Sequence, residues 1–404
     1  MSDAALSDLA REIVGRPNSF LENSIRTSES KLESGFRDRR ILILGAGGFI
    51  ARQTLRAVLS YRPAYVGLVD ISENGLAEVM RALRASNAIP VGTTVEPWLA
   101  DIGSAIFPRV LAEIGAVDKV MNFAAVKHVR SERDVPSILR MLEVNVVATY
   151  KAVSLIADLQ PKATQFVVST DKAADPANFM GASKRAMELA AFEAFPDVCT
   201  ARFANVAFSS GSLLESWLRR IAERVPVAVP RDTWRYFVTP EEAGHLCTLA
   251  SIAPAGSIVV PNFESDDLTE LEQVLMLVLD SYGYRGREVS DVSTGIALMK
   301  NFTETPGAEY PIVVSERNTL GEKREERFLG SGTHAKPWVT GLGISAMKLD
   351  ASGALEINEL VHRIEDLISN PSEATNIDEL REMISNVIPN FVHVSAKVKL
   401  DDRA

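Results

Sequence analysis

From Arg39 onward, short apolar runs alternate with longer stretches whose apolar positions recur every three to four residues. RRILILGAGGFIARQTLRAVL (39–59) reads as strand, glycine-rich turn and helix. YVGLVDIS (65–72), TVEPWLADI (94–102), KVMNFAA (119–125) and QFVVST (165–170) read as the second to fifth strands, and TARFANVAF (200–208) extends the sheet. Helical periods between apolar runs of this length predict β-α-β units, hence an α/β fold built on a Rossmann-like, doubly wound parallel sheet. The dinucleotide-binding domain is expected over 39–208. Beyond it the alternation weakens. SIVVPNF (257–263) and YPIVVSE (310–316) are separated by helical stretches and loops, which predicts a smaller C-terminal substrate-binding lobe over 209–404. The amphipathic stretch ALEINELVHRIEDLISN within it suits packing or oligomer contacts. Residues 1–38 are polar and weakly helical, with Pro17 and Gly35 as breakers, and predict a helical extension or arm.

Composition narrows the class. The 404 residues are 46% hydrophobic and 24% charged, ordinary for a globular protein with a sizeable core. Net charge is −10 and no dense Lys/Arg block occurs, which argues against nucleic acid as a partner and leaves an anionic small substrate open. No apolar stretch approaches the roughly 20 residues that span a bilayer, and MSDAALSDLAREIVGRP lacks the pattern of a signal peptide. A soluble, cytoplasmic protein is expected. Cys199 and Cys247 read as reduced core residues, and the five His and two Cys show no metal-ligand spacing.

Candidate chemistry begins at GAGGFIA (45–51). Gly45 permits the tight turn, and Gly47 and Gly48 let the backbone approach a pyrophosphate. Phe49 and Ile50 open a helix whose N–H groups face that anion, and Ala51 allows close helix-strand packing. Asp70 ends the second strand 25 residues after Gly45, placed to accept hydrogen bonds from both adenosine ribose hydroxyls. A carboxylate there repels a 2′-phosphate, so NAD is expected rather than NADP. Asp101 and Ile102 end the third strand where adenine would lie. Asn122, Ala124 and Ala125 end the fourth, the two alanines leaving room for the cofactor.

The spacing Gly45, Gly48, Ala51 resembles the extended short-chain dehydrogenases/reductases. NFAAVKHV (122–129), EVNVVAT (143–149), STDKAADPANFMGASKR (169–185), ARFANV (201–206) and RYFVTPEEA (235–243) resemble, within them, the nucleotide-sugar 4,6-dehydratases of the polysaccharide-biosynthesis branch. YPIVVSERNTLGEKREERF (310–328) is similar to a segment containing Gly-Glu-Lys in soluble members. Met180 stands where many members carry Tyr. Others, especially long membrane-bound ones, carry Met.

The resemblance implies NAD-dependent dehydration of UDP- or GDP-linked N-acetylglucosamine to a 4-keto-6-deoxy sugar, for surface glycan or nonulosonic acid synthesis, by a homo-oligomer. It implies a base at the C4 hydroxyl, a base at C5 and an acid at O6. Asp171 takes the acid role and Lys172 the C5 base; the two share a pocket only if the chain already turns there. Lys184, one helical turn after Met180, contacts the nicotinamide ribose. The C4 base is Thr170 with a water, or Asp171 in a double role. Lys127 and Asn205 contact the sugar nucleotide, and Arg235 clamps phosphate with its planar fork. Arg231 is a weaker second, Asn145 supports the sheet or the cofactor region, His128 is a structural rather than catalytic His, and Glu322-Lys323 could cap the pocket. An epimerase or 4-ketoreductase on the same sugars is the nearer alternative. A non-catalytic NAD-binding scaffold is the farther one.

Overall fold

The computed structural model describes residues 3–127, 132–316, 323–330, 336–337, 343–349, 354–370 and 375–393. The strands are β1 (Arg40–Leu44), β2 (Tyr65–Asp70), β3 (Thr94–Leu99), β4 (Lys119–Asn122), β5 (Thr164–Thr170), β6 (Cys199–Phe203), β7 (Asn205–Val206) and β8 (Val227–Pro230). They continue with β9 (Trp234–Val238), β10 (Ser257–Pro261), β11 (Leu268–Glu270), β12 (Arg285–Val289), β13 (Glu309–Ser315), β14 (Lys336–Pro337) and β15 (Ile344–Lys348).

A nine-stranded sheet in the order β14-β15-β10-β6-β5-β4-β1-β2-β3 forms the frame. It is parallel from β3 through β10, and β15 and then β14 continue it antiparallel. Ile41 to Leu44 are buried without alternation, because helices cover both faces of a parallel sheet. One face packs on the helices Glu22–Phe36, Phe49–Leu59 and Pro240–Ala250; the other packs on Phe107–Ile114 and Thr149–Leu159. Sequential strands step outward from β1 in opposite directions, to β2 on one side and β4 on the other. Doubly wound sheets open a crevice at such a reversal, beyond the carboxyl ends of the strands.

The expected extension of the sheet through 208 is corrected. β6 stops at Phe203, and Asn205–Val206 leaves to pair with β9 in the three-stranded sheet β11-β9-β7. Strands β10 and β15, from beyond residue 209, return to the main sheet, so lobe and sheet interleave along the chain. The sheet β12-β13-β8 completes the lobe.

Gly35 does not break the arm. The helix Glu22–Phe36 runs through it, because a Cβ there would lie 3.0 Å from Ile252 Cγ2 and the glycine admits closer packing. The first helix, Asp3–Val14, places Leu9, Ala10 and Ile13 in the lobe core beside Trp217, whereas Leu21, Leu32 and Phe36 enter the main core. At the junction Arg16 pairs with Glu242 at 3.0 Å and lies over the Phe263 ring. The helices Ala354–Ser369 and Ile377–Val387 cover the helix Phe179–Ala194, with Ile364, Leu380 and Ile384 packed against its Phe179, Ala182 and Ala186.

Candidate active site

At the carboxyl end of β1, Gly45 adopts φ +72°, and a Cβ there would come within 2.5 Å of the Ala124 nitrogen. Only glycine satisfies both conditions. A Cβ on Gly47 would meet Asp70 Oδ2 at 3.1 Å; instead the Gly47 N–H donates to that oxygen at 2.8 Å. The other Asp70 oxygen accepts the Ser72 N–H at 2.8 Å. Asp70 therefore organises the turn as well as ending β2, and each oxygen keeps a lone pair for another donor. Gly48 caps the helix Phe49–Leu59 without a side chain, leaving its first-turn N–H groups to an anion. Phe49 and Ile50 pack half-buried on the core. Asp101 accepts the Gly103 N–H at 2.9 Å and lies 3.6 Å from Arg140, and Ile102 is buried beside it. Ala124 and Ala125 line the neighbouring end of β4, with the Ala124 N–H held by Asn122 at 2.9 Å.

Across the crevice, β5 ends at Thr170 and Asp171–Ala173 form a single 3-10 turn. This is the turn that lets neighbouring side chains meet. Lys172 Nζ lies 3.2 Å from Asp171 Oδ1, which also accepts the Lys172 N–H at 2.9 Å and the Thr170 hydroxyl at 2.8 Å. Asp171 is only 2% exposed, and its Oδ2 is buried with no hydrogen-bond partner. Burying such an acceptor unsatisfied costs about 1–3 kcal/mol, so it marks a place where a donor is received.

The helix Phe179–Ala194 follows. Asn178 caps it, and Glu132 accepts the Phe179 and Met180 N–H groups at 3.1 and 3.0 Å. Burial pushes the Glu132 carboxyl up to about 7 against the pull of those two bonds. Met180 is buried and, having no exchangeable proton, can only pack. Lys184 donates to the Val168 carbonyl at 2.8 Å, beneath β5, and burial brings its ammonium down to about 8. One turn later, Glu188 accepts Ser169 at 2.6 Å and Arg202 at 2.9 and 2.7 Å. Burial opposes ionisation there, but the Arg202 guanidinium outweighs it and holds Glu188 at about 2. This buried network fixes β5 against the helix and β6 directly under Thr170 and Asp171.

The other expected residues divide. Asn145 lies in a π-helical turn, Glu143–Ala148, and clasps Val126 through both backbone groups at 2.8 Å while donating to Ser183. It supports the loop after β4, where Lys127 follows. Desolvation lowers the Lys127 ammonium although the residue's outer surface is exposed, and Glu215 opposes the shift. Asn205 donates to the Tyr236 carbonyl at 3.4 Å, tying β7 to β9. Arg235 is tied to backbone through Nη1, which donates to the Trp234, Lys323 and Arg324 carbonyls at 2.7–3.1 Å. Lys323 reaches the Asp175 carbonyl, so Arg235 anchors a backbone segment leading to the Asp171-Lys172 turn. Arg231 pairs with Glu288 at the surface. His128 and Glu322 lie outside the described residues.

Glycine turn, carboxylate at the end of β2, and Asp-Lys turn at the end of β5 occupy one edge of one sheet. The family described as "Polysaccharide biosynthesis protein" matches residues 41–297. The chain belongs to this family. A Methanocaldococcus jannaschii relative named as an uncharacterized membrane protein is 27% identical, over 73% of this chain and 86% of its own length. The probable polysaccharide biosynthesis protein EpsC of Bacillus subtilis is 25% identical over 71% of this chain, which spans 47% of EpsC. The solved structure of Pen from Bacillus thuringiensis shares the fold, with TM-score 0.54 and 22% identity, over 61% of this chain and 77% of that one. Among the described residues of this family member, no helix is long and apolar enough to cross a membrane.

Sequence reasoning missed Glu132, Glu188 and Arg202. Glu188 was findable, since it sits four residues after Lys184 on the same helix face. Glu132 and Arg202 meet their partners only through the tertiary fold.

Proposed function

We propose that the protein is an NAD-dependent nucleotide-sugar 4,6-dehydratase, converting UDP- or GDP-N-acetylglucosamine to the 4-keto-6-deoxy sugar for surface glycan or nonulosonic acid synthesis. The observation that carries this reading is the Asp171-Lys172 turn, with one carboxylate oxygen triply bonded and the other buried without a partner. An epimerase would not need this pair. The uncapped helix behind Gly48, the glycine cradle and Asp70 fit NAD. When bound, NAD supplies a reversible hydride acceptor beside the sugar.

The chain's own residues move the protons. Thr170 donates its hydroxyl proton to Asp171 Oδ1, so its lone pairs are free to accept the substrate's C4 hydroxyl. As that proton arrives, Thr170 passes its own to the carboxylate, which supplies the base that Met180 lacks. Lys172 serves as the C5 base as a neutral amine: it takes the C5 proton, the protonated Asp171 delivers one to the departing C6 hydroxyl so that water leaves, and Lys172 returns its proton to C5 to complete the 4-keto-6-deoxy sugar. Lys184, held under β5, keeps positive charge close to the developing oxyanion.

Incubation with UDP- and GDP-N-acetylglucosamine and mass spectrometry tests the reading: a dehydratase yields product lighter by one water. An epimerase gives an isomer of unchanged mass, and a scaffold gives neither; either result overturns the proposal.

A further inference from the structure

The family match ends at residue 297, yet the loop that follows Asp171-Lys172 is fastened by residues well beyond it. Three carbonyls in a row, those of Ala174, Asp175 and Pro176, point at groups from the C-terminal quarter of the chain. Asn390 Nδ2 donates to the Ala174 carbonyl at 3.2 Å and lies 3.4 Å from the Asp175 carboxylate. The Val392 N–H donates to the Pro176 carbonyl at 3.3 Å. Lys323 Nζ donates to the Asp175 carbonyl, and Gly330 backs onto Ala174 so tightly that a Cβ would lie 2.9 Å from its carbonyl oxygen. Phe391 and His393 close over Phe179, the first residue of the lysine-bearing helix, with ring centroids 5.6 and 5.1 Å away.

We infer that residues 388–393 are a latch on the catalytic turn, and that Asn390 is its positioning residue. The 3-10 turn of Asp171–Ala173 is too short to hold itself: the Ala174 N–H closes on the Asp171 carbonyl, and beyond that the loop runs to Asn178 without regular structure. Its geometry must come from outside. Asn390 suits the task because one amide group reaches both a carbonyl and a carboxylate on adjacent residues, fixing the peptide plane between them. A shift of about 1 Å in a catalytic carboxylate can cost on the order of a hundredfold in rate, so a remote latch on this turn acts on turnover. The helix Ile377–Val387 delivers the tail, and its own apolar face is anchored on the lysine-bearing helix. Latch and catalytic turn are thereby referenced to the same element.

The turnover arm of the test rests on the dehydratase reading; the exchange arm does not. Two variants of the full chain, Asn390→Ala and Asn390→Asp, are compared with wild type by amide hydrogen exchange and by water loss from the nucleotide sugar. Asp preserves volume but cannot donate to the Ala174 carbonyl when ionised, and it faces the Asp175 carboxylate. It should therefore be worse than Ala, an order that loss of packing alone would not produce. The expected result is about tenfold faster exchange confined to amides of residues 172–181, with kcat lower by about tenfold, KM and NAD affinity unchanged, and Asn390→Asp the more affected. Exchange and kcat within about twofold of wild type in Asn390→Asp would overturn the latch, as would faster exchange spread evenly over the main sheet. If wild type releases no water, the dehydratase reading falls and the exchange result alone decides the latch.

Discussion

The two sides of the crevice are held by different means. Gly47 is bonded to Asp70, 23 positions away, and the turn is completed by strands adjacent in both sequence and sheet. The loop after Asp171 is bonded to Lys323 and Asn390, 148 and 216 positions away. The hydrogen bonds of the glycine turn thus lie within one β-α-β unit, with Ala124 of the neighbouring strand end packed against it. The Asp171 side also draws on contacts from far along the chain. A site built locally tolerates change elsewhere; a site built from afar inherits every defect in the segments that reach it.

This contrast can be broken most sharply at Asp171. Asp171→Asn should lower water loss by about 10²–10⁴-fold while NAD titration by fluorescence stays as in wild type. A variant that kept a tenth of the rate would remove the carboxylate from the chemistry. Next comes Glu188→Ala, which leaves Arg202 buried without its partner. Denaturant melts should show a loss of about 3–5 kcal/mol, and turnover should fall more than NAD binding because the network lies under β5 rather than under the glycine turn. Equal losses in both would mean that the two sides are not independently supported. Gly45→Ala should produce the reverse split. Its left-handed backbone and the 2.5 Å approach to Ala124 predict about 1–3 kcal/mol of strain, with NAD affinity lost while exchange protection around 171–178 is kept.

The smallest effect is a pH slope. Burial brings the Lys184 ammonium from its usual 10.5 down to about 8, so between these values the unfolded chain binds the extra proton. The contribution of Lys184 to stability then rises with pH across that window as the penalty for a buried charge is lifted. Lys184→Met should flatten part of that rise in melts taken from pH 8 to 10.5. Lys119, buried to a similar pKa of about 8, and Lys127, lowered by desolvation, add slopes of the same sign, whereas burial raises the Cys199 and Cys247 thiols and opposes them.

The same contrast explains what could be read from the sequence. The strand at Arg40–Leu44, its glycines and Asp70 are encoded within one supersecondary unit, and spacing alone locates them. The juxtaposition of Asp171 and Lys172 was legible because Ala-Ala-Asp-Pro signals a turn. The backbone contacts of Arg235 Nη1 were not legible, because a guanidinium that caps backbone carbonyls looks, in sequence, the same as one that clamps phosphate. Asn390 left no trace: a lone Asn in IPNF has no period, motif or neighbour that points to Ala174. The departure of β7 from the main sheet was equally silent, since TARFANVAF shows no break between its two strands and periodicity does not say which sheet a strand joins.

The first helix carries a practical consequence. Leu9, Ala10 and Ile13 finish the lobe's interior around Trp217, and Leu21, Leu32 and Phe36 finish the main one. Removing residues 1–38 would strip a lid from each of two greasy surfaces at once. Such a product should come out of cells as sticky, low-solubility material, and detergent or a separately supplied peptide of residues 1–38 should be what rescues it.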